Sequence, residues 1–365
     1  MNGTAFKTYL LALVTIALVL LSCDNAEKPV TKEEAIAFAK ELENAIKKGE
    51  GKFLDNAFDK KEFVKRMDLP DTEDGRGFAK GVAQKITIGT QIANSLSDHD
   101  NFEFIKHYIK DNRHHLIFRV YADENASLNY QDYELIKTND KCGVADMYIY
   151  LTGETLAETM RDMYNSLYPG SFGIGDVSES EKVTDMNKLK ELKDLMHSGK
   201  YTAAKEMYDG LPAYLKVTKT VVMLNVLISA NLTLEEYNNA IKDFQAKFPN
   251  EPNMSLMMID GYYLQKDYYK MLAAVNALDS QINKDPLLDY HRYLSYDLLE
   301  DDENSLACLK RLVKAMPDFQ KGYIELITVY LKNNNQSEAD SLITLYRKKP
   351  KFNQKDLNTI ISYYQ

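Results

Sequence analysis

Residues 189–212 read LKELKDLMHSGKYTAAKEMYDGLP. Leu189, Leu192 and Leu195 recur at helical spacing, Gly199 interrupts them, and Tyr201, Ala204, Met207 and Tyr208 resume the period until Pro212. The pattern predicts two antiparallel helices joined by a tight turn. Glycine lets the chain reverse, and the small Ala204 falls where two helices must approach most closely. The stretch is the first of a series. Pro249, Pro286, Pro317 and Pro350 close helical segments at steps of 37, 31 and 33 residues (286 − 249, 317 − 286, 350 − 317). Residues 186–365 are therefore expected to form stacked helix pairs, each burying its apolar face only against its neighbours.

Later units keep parts of the pattern. Tyr237 and Ala240 repeat the Tyr-to-Ala step; Lys266-Asp267-Tyr268 keeps the turn, with Met271 or Ala274 at the small position; residues 301–312 offer Ser305 or Ala307; and Asn334 stands in for glycine ahead of Ala339. A last helix over 354–364 would close the array. In its Gly199, Tyr201, Ala204 turn the first unit resembles the tetratricopeptide repeat. The resemblance covers about half the chain and implies a tetratricopeptide-like α-solenoid that binds a protein or peptide rather than transforming it. It also implies that binding falls in the groove lined by the first helix of each pair. There Asn225, Tyr262, Tyr263, Arg292, Tyr293 and Tyr296 are the candidate partner-binding residues, because aromatic and arginine side chains carry a disproportionate share of interface energy. Core packing is the competing role of each tyrosine. Asn225 and Arg292 resemble positions by which some members of that family clamp a peptide carboxylate, but the full clamp is absent and that ligand is not expected.

Ahead of the array, residues 31–168 read as an α+β domain, so the whole chain is multidomain, α+β followed by all-α. Thr31 with Glu33 and Glu34 marks a helix start, and Ala35, Phe38, Ala39, Leu42 and Ile46 form its apolar face. A shorter helix is expected over 59–67 and a third over 74–95. From Asn101 the period changes to two: Phe102, Phe104 and Tyr108; Leu116, Phe118 and Val120; Tyr133 and Leu135; Met147, Ile149 and Leu151. Short connections make these four strands an antiparallel meander covered by helices on one face, with a further helix over 155–168. The order of elements resembles the cone-shaped nuclear-transport-factor-like and cystatin-like folds, which implies a pocket. On the face opposite the apolar one, alternation groups Arg119, Tyr121, Tyr130, Asp146 and Tyr148 with Asp132 and Tyr150. That set suits a small polar ligand or acid–base work. A wet sheet face, or one docked on the helical array, is the other reading.

The N-terminus carries the localisation. Residues 8–21 are almost wholly apolar behind Lys7, a length that suits a signal peptide better than a membrane span. Leu20-Leu21-Ser22-Cys23 resembles the lipobox of bacterial lipoproteins, which implies lipidation at Cys23, removal of 1–22 and a tether over 23–30. The resemblance implies a bacterial cell envelope with the chain anchored to a membrane, the outer one being the expected location. A linker is expected over 169–185, around Gly173-Ile174-Gly175. The net charge of −9, with both signs mixed along the chain, argues against nucleic acid. With no tryptophan, a carbohydrate platform is less expected, though 25 tyrosines are present. Cys142 and Cys308 are not expected to pair. No phosphate-loop, paired-cysteine or HExxH pattern occurs; His114 and His115 point to opposite faces, and His99 and His107 lack partners at a ligand spacing. Neither a metal nor a cofactor is expected. The function that follows is a non-enzymatic envelope scaffold; the rivals are a ligand-binding or catalytic N-terminal domain and a nutrient-uptake component of the outer membrane.

Overall fold

A computed structural model describes residues 29–97, 100–123, 127–168, 179–249, 251–349 and 352–364. Cys23, His99, Gly173-Ile174-Gly175 and Pro350 lie outside them.

The chain begins with α1 (Lys32–Lys47), held by a capping box. The Thr31 hydroxyl accepts from the Glu34 amide, and the Glu34 carboxylate accepts from the Thr31 amide. Its inner face is the one expected, Ala35, Phe38, Ala39, Leu42 and Ile46. Two differences follow. A short α2 (Lys52–Ala57) precedes α3 (Lys60–Met67), and the helix expected over 74–95 is two, α4 (Glu73–Gln84) and α5 (Ile88–Ser95). The division lets α5 cross α2 at glycines: a Cβ on Gly51 would sit 2.2 Å from the Gly89 carbonyl oxygen. Asp55 secures the crossing, accepting from the Gly89 amide at 2.7 Å.

Five strands follow in the order β1 (Asn101–Lys110), β2 (Arg113–Ala122), β3 (Ser127–Thr138), β4 (Lys141–Ile149) and β5 (Glu154–Thr155), each antiparallel to the next. Two of the hairpins close on residues with positive φ, Asp111-Asn112 and Asn139-Asp140, the conformation whose twist matches the strands. Leu151 falls in the turn after β4, and β5 is an added strand of two residues. Then α6 (Leu156–Leu167) starts on a second capping box, Thr155 with Glu158. One sheet face packs Phe102, Leu116, Phe118, Tyr133, Leu135, Val144 and Met147 against α1, α2 and α3. The domain is thus α+β, an antiparallel sheet with helices on one face.

The remainder is all-α, in five consecutive antiparallel pairs and a closing helix. They are α7 (Glu179–His197) with α8 (Tyr201–Asp209), α9 (Lys219–Ser229) with α10 (Leu234–Lys247), α11 (Met254–Leu264) with α12 (Tyr268–Ile282), α13 (Leu288–Leu298) with α14 (Asp302–Ala315), α15 (Gln320–Lys332) with α16 (Gln336–Tyr346), and α17 (Gln354–Tyr364). The first helix starts at Glu179, inside the stretch expected as linker. Ala204, Ala240, Ser305 and Ala339 are all buried, so a small residue does sit inside the second helix of these pairs. In the third pair Met271 and Ala274 are both buried. Gly199, Lys266, Glu300 and Asn334 have φ of +68°, +57°, +58° and +57°, so four of the five intra-pair turns use a left-handed residue.

Candidate functional site

The second sheet face is where the two parts of the molecule meet. Arg119, Tyr121, Tyr130, Asp146 and Tyr148 share it, as alternation requires: Arg119 pairs with Tyr130, and Asp132 with Tyr148. Instead of an open concavity, half of this face is a seam. Ile117, Tyr121, Leu128, Tyr130 and Tyr150 join Leu256, Ile259, Leu287, Tyr290 and Tyr293 of the array in one apolar cluster. At its centre Arg119, 1% exposed, forms an ion pair with Asp285 and another with Glu103, and donates to Asn101 at 3.0 Å. The Tyr130 hydroxyl donates to the second oxygen of Asp285 at 2.8 Å. Burial, reinforced by that carboxylate, holds Tyr130 well above the ordinary phenol range. Tyr121 packs edge-on against Phe319.

The array meets the sheet through one edge. Lys219 donates to the Gly153 carbonyl at 2.8 Å, Thr220 donates to Glu154, Asn253 fills the space a side chain on Gly153 would need, Asp285 takes Arg119, and Phe319 takes Tyr121. These contacts lie at the starts of α9, α11, α13 and α15. Pro249, Pro286 and Pro317 belong to the same inter-pair loops, so the prolines that punctuate the repeat mark the docked edge.

The other half of the face is polar. Tyr108 donates to Asp132, whose other oxygen lies 3.1 Å from His115 Nδ1, and the Tyr108 and His115 rings stack with centroids 4.9 Å apart. Beside them Glu134 receives both terminal nitrogens of Arg66 at 2.6 Å and the Arg113 Nε at 3.1 Å. Burial works to raise Glu134, yet Arg66 holds its carboxyl below the ordinary value. A β-bulge builds this cluster. The register slips between Phe104 and Lys106, turning Tyr108 onto the face of His115 and Asp132 although sequence alternation put it with Phe102 and Phe104. The same slip corrects the reading of His107. It lies beside His114 on the opposite face, Nε2 to Nδ1, at 2.7 Å.

Asp146 lies apart from Arg119. Its Oδ1 accepts from the Met147 amide at 2.8 Å and from the Ala157 amide at 3.2 Å, so it anchors the first turn of α6. Burial pushes its carboxyl up to about 6. Tyr148 packs edge-on against Tyr150, and burial raises its hydroxyl well above the phenol range.

In the array, the candidates expected to be displayed are mostly internal, and the cause differs at each. Asn225 is buried within α9, 3.5 Å from the Ser229 hydroxyl. Arg292 is held by Asp279 at 2.6 Å, Asp289 at 3.0 Å and Asn276 at 2.8 Å. Tyr293 is buried and donates to Glu325 at 2.9 Å, while Tyr296 packs on the seam cluster. Tyr262 is half-buried under Lys270, and Tyr263 is exposed. What the spacing could not reveal is an open groove of about 730 Å³ over α10, α11 and α12. Phe248, Met254, Met258 and Tyr262 line it together with the exposed Ala273 and Ala277. Ala273 and Ala277 stand four apart on α12, a spacing that puts them on one helical face.

Cys142 and Cys308 are both free. Among the described residues no cluster of three or more His, Cys, Asp or Glu could hold a metal, and no helix is long and apolar enough to cross a membrane. No protein-family model, curated protein or solved structure matches the chain.

Proposed function

We propose that this chain is a membrane-anchored envelope lipoprotein acting as a non-enzymatic scaffold, which captures a protein or peptide on its helical array. The observation that carries the reading is the open groove over α10, α11 and α12, where Phe248, Met254, Met258 and Tyr262 line the space with Ala273 and Ala277, and Glu251 and Lys270 add charge. Aromatic and methionine side chains beside small residues accept the side chains of an inserted segment. Tyr263, Leu264 and Tyr269 are exposed at the adjoining hairpin of α11 and α12. The groove lies along the second helices α10 and α12 as well as the first helix α11, and at Pro249 and Pro252 it reaches the inter-pair loop.

Ala273→Arg and Ala277→Arg fill the groove from exposed positions, so they should leave folding intact while lowering capture of partners from envelope extracts at least tenfold. Recovery of every partner at the parent level would rule the groove out. Anchoring rests on Cys23: Cys23→Ala should move the protein from the membrane to the soluble fraction, and persistent membrane association would contradict the lipid tether.

A second reading is favoured by the Tyr108, Asp132 and His115 cluster, which offers an acceptor and an imidazole to a small polar ligand. His115→Gln would then abolish small-ligand binding and leave partner capture unchanged.

A further inference from the structure

His107 and His114 meet on the hairpin of β1 and β2 with ring nitrogens 2.7 Å apart, ring centroids 4.9 Å apart and planes 33° apart. Both rings are half-buried at the sheet end that runs under the start of α1, and Ile109, directly across from His114, is exposed. The contact exists because of the bulge at Ile105. Without it His107 would lie on the seam side of β1. With it, His107 falls opposite Leu116, on the same face as His114. Two neutral imidazoles at this distance share one proton, one ring donating and the other accepting. Neutral imidazole is also the form that binds metal.

We propose that His107 and His114 form a two-histidine chelate for a divalent transition-metal ion of the zinc or copper class, with water completing the shell. Imidazole nitrogens bind Zn²⁺ at about 2.0–2.1 Å, which in tetrahedral geometry sets the two nitrogens about 3.3 Å apart. Opening the pair from 2.7 Å to that separation takes a small side-chain rotation. The bridging proton passes to the other nitrogen of the donor ring, so both rings stay neutral. The hairpin supplies the preorganisation, since two-residue closure at Asp111-Asn112 and the paired strands fix both Cβ positions. The two imidazole nitrogens select against hard oxygen-seeking ions such as Ca²⁺ and Mg²⁺.

The test is calorimetric titration of Zn²⁺ alone into the full chain freed of metal. One equivalent should bind. His107→Gln and His114→Gln should each weaken binding by more than about tenfold, since each removes a ligand outright. His197→Gln, at an exposed helix end, should bind as the parent does. No saturable uptake by the parent, or uptake unchanged in both hairpin variants, would overturn the site. Circular dichroism of the metal-free variants separates a lost ligand from a lost fold. Electron paramagnetic resonance of the parent with one equivalent of Cu²⁺ tests the same assignment without substitution. Coupling to two nitrogens is expected, and coupling to one or none would overturn it.

Discussion

Arg119 and Asp285 are 166 residues apart and both almost wholly buried, and Asp285 takes its countercharge from Arg119, which is also paired with Glu103. Removing one partner of a buried pair costs more than the pair contributes, because the remaining charge loses its compensation. Asp285→Ala should therefore lower the unfolding free energy by about 3 kcal/mol, near the low end for such losses because Glu103 and Asn101 still hold the guanidinium. Replacing Arg119, Asp285 and Tyr130 together by Met, Leu and Phe should recover most of that loss in denaturant titration. Asp146 works in the opposite sense. Its folded carboxyl titrates at about 6, above the ordinary unfolded value, so between roughly pH 4 and 6 the folded state holds the extra proton. Its contribution is favourable at low pH and lost as pH rises through 6. Asp146→Asn keeps the acceptor for the Met147 and Ala157 amides while removing the buried charge. It should stabilise the protein at pH 7 by about 1–3 kcal/mol, a gain that fades towards pH 4.

Among the elements, the hairpin turns of the array show both how the sequence encodes the fold and where it stops doing so. Gly199 and Asn334 were readable as turn residues because both tolerate a left-handed backbone. Lys266 and Glu300 adopt the same conformation, although neither residue type signals it. Position in the repeat imposes the turn there. Glu300→Gly should relieve that cost, offset by glycine's extra unfolded entropy, and raise stability by up to about 1 kcal/mol. In the sheet, alternation correctly grouped Arg119, Tyr121, Tyr130, Asp146 and Tyr148. It failed on β1, since the bulge at Ile105 has no composition of its own and reverses every side chain beyond it. The Tyr108 cluster and the His107 pair were hidden for that reason. The six-residue α2 was too short to show a period, and its crossing with α5 depends on Gly51 and on Gly89, which lies inside the single helix expected over 74–95. Gly51→Ala should be strongly destabilising, about 2 kcal/mol or more in thermal or chemical unfolding, because its Cβ would meet backbone that cannot yield.

For the whole molecule, the array has two unlike edges. Its inter-pair loops, marked by Pro249, Pro286 and Pro317, lie along the sheet, whereas the hairpin with Tyr263 and Tyr269 is exposed. Helix periodicity could place the stacked pairs in the sequence, but not this division, which depends on side chains far apart in the chain meeting at one seam. The Arg292 ion pair with Asp279 shows the same limit: a residue chosen for its binding chemistry is committed to joining α13 to α12. If the seam joins the α+β domain and the array into one cooperative body, calorimetry decides it. The parent protein should melt in a single transition whose calorimetric and van't Hoff enthalpies agree, and Asp285→Ala should split that transition in two. Two independent transitions in the parent, or a profile left unchanged by Asp285→Ala, would contradict the seam.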